Sequence, residues 1–491
     1  MRTFHVLLIA TVLTLNATAQ NEVDALRMSQ TGVYGTSRYV AMGGAFGALG
    51  GDLSAVTANP AGLGVYRGSE FSFTTVVFLE STKALHYGTD DRGNKFNVNF
   101  GNIGIVLARM QEKSHQTGWV ATQLAFTYNK INNFNNRTHL IGFNPNSSLL
   151  NHYLLDAQGT YQSDLETYNP FGAGLAWQTY LLNPADSIDS SSYTSVVNSG
   201  GMEQSKVTTR KGGVNEVAVS VAANYSNRLY IGASLGFPIV RYTETSVYRE
   251  EDVNDTIAYV NYFTLEDEFS TSGTGVNIKI GVIYRAANWI RIGAALHTPT
   301  FFALSDEFKT VMNASYDSIP AWSVSSDREY EASSPAGSYD YRIISPLRVM
   351  GNIAFVIGKQ GLLSADYEWI DYSTSSLNSP SFSYSNSNKE IANKYKGNGI
   401  LKVGTEWRFL PFIFRGGYTL YGTPFKTSTQ KGVRSSYSLG FGIREDVLSL
   451  DIAYVFSQTQ GEYYLYSSDL VDATTISSSS HQLMTTLAVR F

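Results

Sequence analysis

Residues 449–456 read Ser-Leu-Asp-Ile-Ala-Tyr-Val-Phe, and this stretch shows the pattern that decides the fold. Leu, Ile, Tyr and Phe take the even positions, while Ser, Asp and Ala take the odd positions from 449 to 453. Because successive side chains of a β-strand point to opposite faces, one face of this strand is apolar. The same period of two recurs at 216–222 and 276–282. From Glu70 onward the pattern therefore predicts strands rather than helices.

The first residues predict export. Arg2, an apolar stretch over 6–15 and the triplet Ala-Thr-Ala at 17–19 are typical of a signal peptide, which we place at residues 1–19. The 491 residues contain no cysteine, so disulfide frameworks and thiolate chemistry are excluded. The net charge of −5 favours no nucleic-acid partner.

The composition indicates which way the apolar faces point. Charged residues make up 16% of the chain and aromatic residues 13%, whereas soluble domains contain about 25% charged residues. After the signal peptide no stretch approaches the roughly 18 apolar residues of a transmembrane helix. The sequence therefore predicts an all-β fold, a transmembrane antiparallel β-barrel whose apolar faces contact outer-membrane lipid and whose polar faces line the lumen.

The alternation divides the barrel region, residues 69–491, into about fourteen strands. We place them at roughly 70–79, 95–110, 118–130, 214–226, 228–243, 274–285, 289–299, 346–358, 361–370, 399–409, 412–421, 435–444, 447–457 and 481–491. Short turns such as 226–227 follow the even strands, and long polar loops follow the odd strands, the longest spanning 131–213. This alternation of short turns and long loops is typical of bacterial outer-membrane barrels, with long extracellular loops and both termini periplasmic. The terminal Phe491 resembles the signal read by the barrel-assembly machinery.

Residues 20–68, which we call the plug, lack this alternation. They contain the small-residue run Ala-Met-Gly-Gly-Ala-Phe-Gly-Ala-Leu-Gly-Gly at 41–51, and small side chains allow close packing in a confined lumen. A short helix is predicted over 53–58, with Asp52 as its N-cap. Asn59, in the left-handed conformation, and Pro60, which lacks an N–H, are predicted to end it.

The plug also carries a family resemblance. Residues 52–63, Asp-Leu-Ser-Ala-Val-Thr-Ala-Asn-Pro-Ala-Gly-Leu, resemble the hatch of the long-chain fatty-acid transporter family (FadL/TodX type), and weaker matches cover 273–299 and 346–372. Together they span about a quarter of the chain. Members of that family form fourteen-stranded barrels. The resemblance implies passive uptake of hydrophobic compounds such as long-chain fatty acids across the outer membrane, with an apolar lumen pocket and lateral release at a kinked strand.

The resemblance selects the hatch candidates, and the pattern of the residues selects candidates for ligand contact. The hatch, or gating, candidates are Asp52, Asn59, Pro60, Ala61, Gly62 and Leu63. A rigid turn that only folds the plug is the alternative interpretation. The candidates for contact with a hydrophobic small-molecule ligand are Phe46, Leu175, Trp177, Arg291, His297 and Arg348.

Several of these residues have a second interpretation. Leu175 and Trp177 lie in apolar patches of the longest loop, whose spacing fits short helices that either capture ligand or pack onto the barrel rim. The lumen-facing charges, including Arg291 and Arg348, either form a paired network that anchors the plug or hold a carboxylate. Gly101 and Gly104 either permit a kink in the second strand or pack against the plug. His297, at a strand end, is a ligand contact or a rim residue.

Other function classes fit the sequence less well. An enzyme would need a Ser–His pair on one barrel face, and no such pair can be assembled, so we expect no enzyme. A haemin receptor remains an alternative without a supporting His/Tyr motif, and an adhesin or structural barrel would explain the loops but not the hatch motif. A polar-solute porin conflicts with a plugged lumen. The histidines lack zinc-ligand spacing, so neither a metal nor a cofactor is expected.

Overall fold

The computed structural model describes residues 21–111, 118–186, 189–318, 328–427 and 432–491. The predicted signal peptide lies outside these ranges. The strands are β1 Glu70–His86, β2 Thr89–Met110, β3 Trp119–Asn133, β4 Asn136–Asn144, β5 Leu182–Pro184, β6 Tyr193–Ser195, β7 Met202–Tyr225, β8 Leu229–Glu251, β9 Val260–Ala287, β10 Ile290–His297, β11 Phe301–Tyr316, β12 Glu329–Ser333, β13 Gly337–Ile344, β14 Arg348–Ile357, β15 Gly361–Asp371, β16 Ser376–Asn378, β17 Gly397–Phe409, β18 Phe412–Tyr421, β19 Arg434–Arg444, β20 Leu448–Tyr463 and β21 Thr474–Arg490. The α-helices are α1 Glu22–Ser29, α2 Ser37–Ala41, α3 Leu149–Ala157, α4 Gln162–Tyr168, α5 Ala173–Gln178 and α6 Ser385–Lys394, and 3₁₀ helices span Leu53–Thr57, Pro60–Val65 and Tyr372–Thr374.

Fourteen of these strands close into one antiparallel barrel, which confirms the predicted count and fold class. The order around the wall is β1–β2–β3–β7–β8–β9–β10–β14–β15–β17–β18–β19–β20–β21. The wall closes where β21 pairs with β1, with Glu70 opposite Arg490. β4, β11 and β13 continue the wall beyond β3, β10 and β14 after short breaks.

The two faces of the wall differ as the alternation predicts. Ile452 and Tyr454 are 40% and 42% exposed, whereas their neighbours Asp451 and Ala453 are buried in the lumen. Exposed aromatic side chains cluster beside the short turns, and they include Trp119, Trp289, Phe409, Phe412 and Phe491. Such a girdle is typical of the lipid–water interface of membrane barrels.

Several strands extend further than predicted. β7, β8 and β9 span 24, 23 and 28 residues, and β7 pairs with β8 as far as Glu203 opposite Glu251. The predicted loop over 131–213 therefore contains β4 and the first half of β7. The apolar alternation marks only contact with lipid, while backbone pairing continues in the polar extensions.

The plug contains α1, α2 and the first two 3₁₀ helices. Asp52 is an N-cap as predicted, because its Oδ1 accepts from the Ser54 N–H at 2.9 Å. The prediction for Asn59 was wrong, since its φ of −145° is extended rather than left-handed. Its side chain caps the second 3₁₀ helix, and Pro60 takes the first helical position, where its fixed φ is favourable and no N–H is needed.

The apolar patches of the longest loop form α3, α4 and α5, which we call the cap. Leu150, Leu165 and Leu175 are fully or almost fully buried in a cluster with side chains of β8, β9 and β11. The buried Glu250 carboxylate of β8 accepts from the Ser148 hydroxyl and the Leu149 N–H at the start of α3. The cap is therefore packed onto the barrel rim. Among the described residues no helix is long and apolar enough to cross a membrane.

Candidate functional site

The hatch motif lies directly on the barrel wall. Asn59 Nδ2 donates to the Gly47 carbonyl inside the plug at 2.7 Å, and to the Val282 and Ala294 carbonyls of the wall at 3.2 and 3.4 Å. Asn59 Oδ1 accepts from the Ala61 N–H at 3.1 Å. One buried side chain therefore joins the plug to two wall strands.

Three wall glycines, Gly232, Gly281 and Gly293, make this approach possible, and we call them the glycine socket. A Cβ on Gly281 would lie 1.9 Å from Asn59 Oδ1, and a Cβ on Gly232 would lie 2.5 Å from the Pro60 carbonyl carbon. A Cβ on Gly293 would lie 2.6 Å from the Gly47 carbonyl oxygen. The wall lacks side chains where the plug backbone lies against it.

A second set of glycines holds the small-residue run. Cβ atoms on Gly404, Gly417 and Gly440 would lie 2.2–2.4 Å from atoms of residues 41–43 of the plug. The Thr419 hydroxyl also donates to the Gly43 carbonyl at 2.8 Å. The plug is thus attached to β8–β10 and to β17–β19 by backbone contact.

Buried ion pairs add a third attachment. Glu406 of β17 accepts from Arg38 of the plug at 2.8 Å, from Arg415 at 2.7 Å and from Arg408 at 2.6 Å. Arg415 also pairs with Asp451 at 2.6 Å. This geometry matches the paired anchoring network among the lumen-facing charges. Sequence reasoning missed Arg38 and Arg415, because an arginine in an irregular plug or a glycine-rich strand carries no periodic signal.

Residues Gln30–Gly35, which we call the arm, are held differently. Arg348 donates to the Thr31 hydroxyl at 2.5 Å and to the Ser29 carbonyl, while also pairing with Glu368 at 3.0 Å. The Gly32 N–H donates to the Ile131 carbonyl of β3 at 3.0 Å. Long side chains and single hydrogen bonds therefore hold residues 30–32 of the arm, and only its last residue, Gly35, lies in close backbone contact with the wall.

The arm lies across an interruption in the wall. β2 pairs with β1 as far as Thr89, but its pairing with β3 stops at Asn102 opposite Asn129. Within the described residues, 89–101 of β2 and 130–133 of β3 have no ladder partners across this boundary. β4 packs against the outer end of this stretch, where a Cβ on Gly93 would lie 2.2 Å from the Arg137 carbonyl oxygen, so we call residues 94–101 and 130–133 the wall gap. Gly101 is a bulge residue here, and a Cβ on it would lie 2.9 Å from the Gly35 carbonyl oxygen. Both explanations of Gly101 therefore hold, because it bends the strand and also approaches the arm.

Two cavities flank the arm, and Gly32 and Tyr34 line both of them. The larger, of about 190 Å³, is lined by hydroxyl and amide side chains, and we call it the serine cavity. Its wall side chains include Ser436, Ser457, Ser480, Gln482, Glu80 and Arg434. The smaller, of about 80 Å³, is the cation cavity. Both linings mix polar and apolar side chains, the apolar ones including Val33, Phe78 and Val455 in the serine cavity, which differs from the apolar lumen pocket that the family resemblance implies.

The cation cavity carries an excess of positive charge. Its lining contains the cationic side chains Lys130, Lys279, Arg348 and Lys402 and the carboxylates Glu216 and Glu368. Lys279 pairs with Glu216, and Lys402 and Arg348 pair with Glu368. Among the described residues no carboxylate lies within ion-pair distance of the buried Lys130. Sequence reasoning missed Lys130, which lies at a predicted strand end.

The six predicted contact residues lie in different places. His297 and Arg348 line the cation cavity. Phe46 is fully buried in the plug against Tyr39, with ring centroids 5.6 Å apart, and lines neither cavity. Leu175 and Trp177 belong to the cap.

Arg291 lies near the short turns, where it donates to the Leu49 carbonyl at 2.8 Å. These placements favour direct ligand contact only for His297 and Arg348. Among the described residues no group of three His, Asp or Glu side chains is arranged to hold a metal ion.

The hatch residues, by contrast, lie together. Ala61 packs on Tyr230 and Ile283 of the wall, and Leu63 joins the apolar cluster below. A Cβ on Gly62 would lie 3.0 Å from the Gly50 Cα. Fold and site together define a plugged transmembrane β-barrel.

Solved structures with the same architecture include known transporters. Two crystal structures of the toluene transporter TodX from Pseudomonas putida align with 94% of this chain and 99–100% of theirs, at 12% identity and TM-scores of 0.52 and 0.53. A FadL homologue from Pseudomonas aeruginosa aligns with 93% of this chain and 98% of its own, at 12% identity and a TM-score of 0.53. No family model and no curated protein matches the sequence. At this identity the comparison establishes a shared fold.

Proposed function

We propose that this chain is a passive uptake route for hydrophobic compounds across the bacterial outer membrane, with both termini periplasmic. The observation that carries the proposal is the wall gap, which lies behind an arm held by a few polar contacts while the rest of the plug is anchored. A ligand that displaces the arm passes sideways into the membrane, and the anchored plug still blocks the route to the periplasm. The transport function named for TodX, a structure of the same fold, supports this direction.

The energetics are compatible with a passive step. Burial of a methylene group is worth about 0.8 kcal/mol, so a twelve-carbon chain gains up to about 9 kcal/mol in an apolar environment. Each hydrogen bond of the arm contributes about 1 kcal/mol. Binding of a long apolar chain therefore offsets release of the arm, and no energy source is required.

Cross-linking the arm tests the lateral route. Because the chain contains no native cysteine, the variant Gln30→Cys/Asn132→Cys can be joined by a reducible bifunctional thiol reagent. These positions adjoin, since the Asn132 amide donates to the Gln30 carbonyl at 3.1 Å. Uptake of radiolabelled laurate by cells expressing the cross-linked protein should fall at least tenfold and recover on reduction.

The two single-cysteine variants, treated with the same reagent, are the matched controls. Unchanged uptake through the cross-linked protein would rule out the wall gap as the route. If the wild-type chain adds no uptake of laurate or dodecane to cells that lack other such transporters, the transport proposal itself is wrong.

The excess positive charge of the cation cavity favours substrates with an anionic head, such as fatty acids. Lys130→Met keeps the length of the side chain and removes its charge. We expect this variant to lower laurate uptake about fivefold relative to dodecane uptake in the same cells. An equal effect on both compounds would assign Lys130 a structural role only.

The haemin alternative gains no support from the site. His297 Nε2 lies 3.0 Å from the Ala58 carbonyl oxygen and therefore donates to it, so this nitrogen is not free to bind iron.

A further inference from the structure

The serine cavity contains a row of hydroxyl groups that the proposed route for apolar chains does not require. Ser436, Ser457 and Ser480 are direct partners across β19, β20 and β21, and Glu80 of β1 follows Ser480 in the same row. The Ser436 and Ser457 hydroxyls are 2.7 Å apart. Because directly opposed side chains of neighbouring strands lie about 5 Å apart, the row forms a continuous polar strip along the cavity.

A buried amide one row away makes this strip a candidate binding site. Gln482 is 7% exposed, lines the cavity, and its Oε1 has no hydrogen-bond partner. A buried acceptor without a partner is costly, so it favours a ligand that brings a donor. The Glu80 carboxylate is a second acceptor in the same lining.

The charges of the cavity exclude other head groups. The Glu80 carboxylate disfavours a carboxylate or phosphate, which carries the same charge and offers no donor when ionised. Arg434, whose guanidinium lies 3.7 Å over the Tyr421 ring, disfavours an organic cation. A neutral group with several hydroxyls satisfies all of these side chains, because a hydroxyl both donates and accepts.

The volume of the cavity limits the size of the head group that it can bind. A cavity of about 150 Å³ holds a benzene molecule, so about 190 Å³ holds a polar head of about six heavy atoms. A glycerol unit has this size. The cavity also borders the wall gap through Asn133, so a head bound here is close to the opening.

We propose that the serine cavity binds the neutral polyol head of an amphiphile, of the glycerol-ester class, while its acyl chain follows the lateral route. This site rests on the proposed function for the path of the chain. It is separate from the cation cavity on the other side of the arm, which suits anionic heads. The barrel would thus accept two classes of amphiphile through one gap.

Uptake of three probes that share a twelve-carbon chain tests the site: 1-monolauroylglycerol, laurate and dodecane. Gln482→Met preserves side-chain length and removes the amide. In cells expressing the full chain, we expect it to lower the ratio of monolauroylglycerol uptake to laurate uptake at least fivefold. Thr271→Val is the matched control, because it also removes a buried unpartnered oxygen, but outside the cavity. Heat-modified mobility on gels establishes that both variants fold.

The outcomes separate the two proposals. An unchanged ratio in Gln482→Met, or an equal change in Thr271→Val, overturns the polyol site and leaves the uptake proposal standing. Uptake of none of the three probes by the wild-type chain refutes both. Native mass spectrometry of the purified protein with added monolauroylglycerol gives a second readout, and equal retention by wild type and Gln482→Met would also overturn the site.

Discussion

The plug is held in two different ways on its two sides. Toward β8–β10 and β17–β19, glycines let plug and wall backbones lie in contact, and Asn59 donates to wall carbonyls. Toward β2 and β3, the arm makes single hydrogen bonds to β3 and one close backbone approach at Gly101, over an unpaired stretch of wall. Arg348 of β14 holds the arm from the opposite side. Close backbone contact has no alternative arrangement of similar energy, whereas long side chains can release and reform their bonds. On the proposed function, we therefore expect the arm to be released more readily than the hatch motif.

The hatch motif is therefore better described by the interpretation in which it fixes the plug than by one in which it moves. Asn59 makes four hydrogen bonds, and Ala61 and Leu63 are fully buried. The gating role assigned to residues 59–63 remains a prediction. The experiments below compare the two sides directly.

Filling the glycine socket should have the largest effect. In Gly281→Val the new Cβ would lie 1.9 Å from Asn59 Oδ1, so Asn59 must leave its carbonyl partners. We expect a loss of about 3 kcal/mol in the free energy of unfolding, since buried polar groups lose their partners. Urea unfolding in lipid vesicles measures it. Gly351→Val is the control, because nothing lies within 4 Å of its Cβ. Equal losses of unfolding free energy in the two variants would show that close contact at the glycine socket does not stabilise the protein.

Releasing the arm should have an intermediate effect confined to one side. Arg348→Met removes the bonds to Ser29 and Thr31, while Lys402 still pairs with Glu368 at 2.9 Å. A hydrogen bond to a charged group is worth about 1.5–3 kcal/mol, so amide hydrogen exchange of residues 29–35 should accelerate at least tenfold. Exchange at residues 59–63 should stay as in wild type. Faster exchange at both 29–35 and 59–63 would show that the arm and the hatch motif open together.

The smallest effect is expected at the outermost ion pair of the anchored side. Arg408 is the third cation around Glu406, and its side chain is 34% exposed. After allowance for solvent screening, Arg408→Gln should cost less than about 0.5 kcal/mol of unfolding free energy. Arg415→Met, at a fully buried side chain, should cost about 3 kcal/mol because it leaves Glu406 and Asp451 underpaired. Similar losses in both variants would contradict this order.

Much of the wall could be predicted because lipid contact leaves a local signal. The alternation at 449–456 indicates both the strand and the direction of its faces, and fourteen such segments were found. The strand extensions at 202–213 and 260–273 were missed because strands in water need only backbone pairing, which places no constraint on apolar spacing. The N-cap role of Asp52 was also local and was predicted correctly.

The site was harder to predict because its contacts join distant parts of the chain. Gly281 reads as an ordinary small residue in a strand until Asn59 is placed against it. Lys130 becomes distinctive only when the two carboxylates of the cation cavity, Glu216 and Glu368, are seen to pair elsewhere. The wall gap is an absence of pairing between β2 and β3, and nothing in either strand alone reveals it.

The long polar extensions of β7–β9 have a consequence for the surroundings of the barrel. Residues 260–273 precede the apolar part of β9, and at about 3.3 Å per residue and a tilt of about 40° they rise roughly 35 Å beyond the hydrocarbon layer. The cap sits on this raised rim. The rim of the barrel, with the cap packed on it, therefore lies above the lipid head groups. On the proposed function, a sparingly soluble compound would meet the cap and the rim in bulk water, before the charged layer that excludes it.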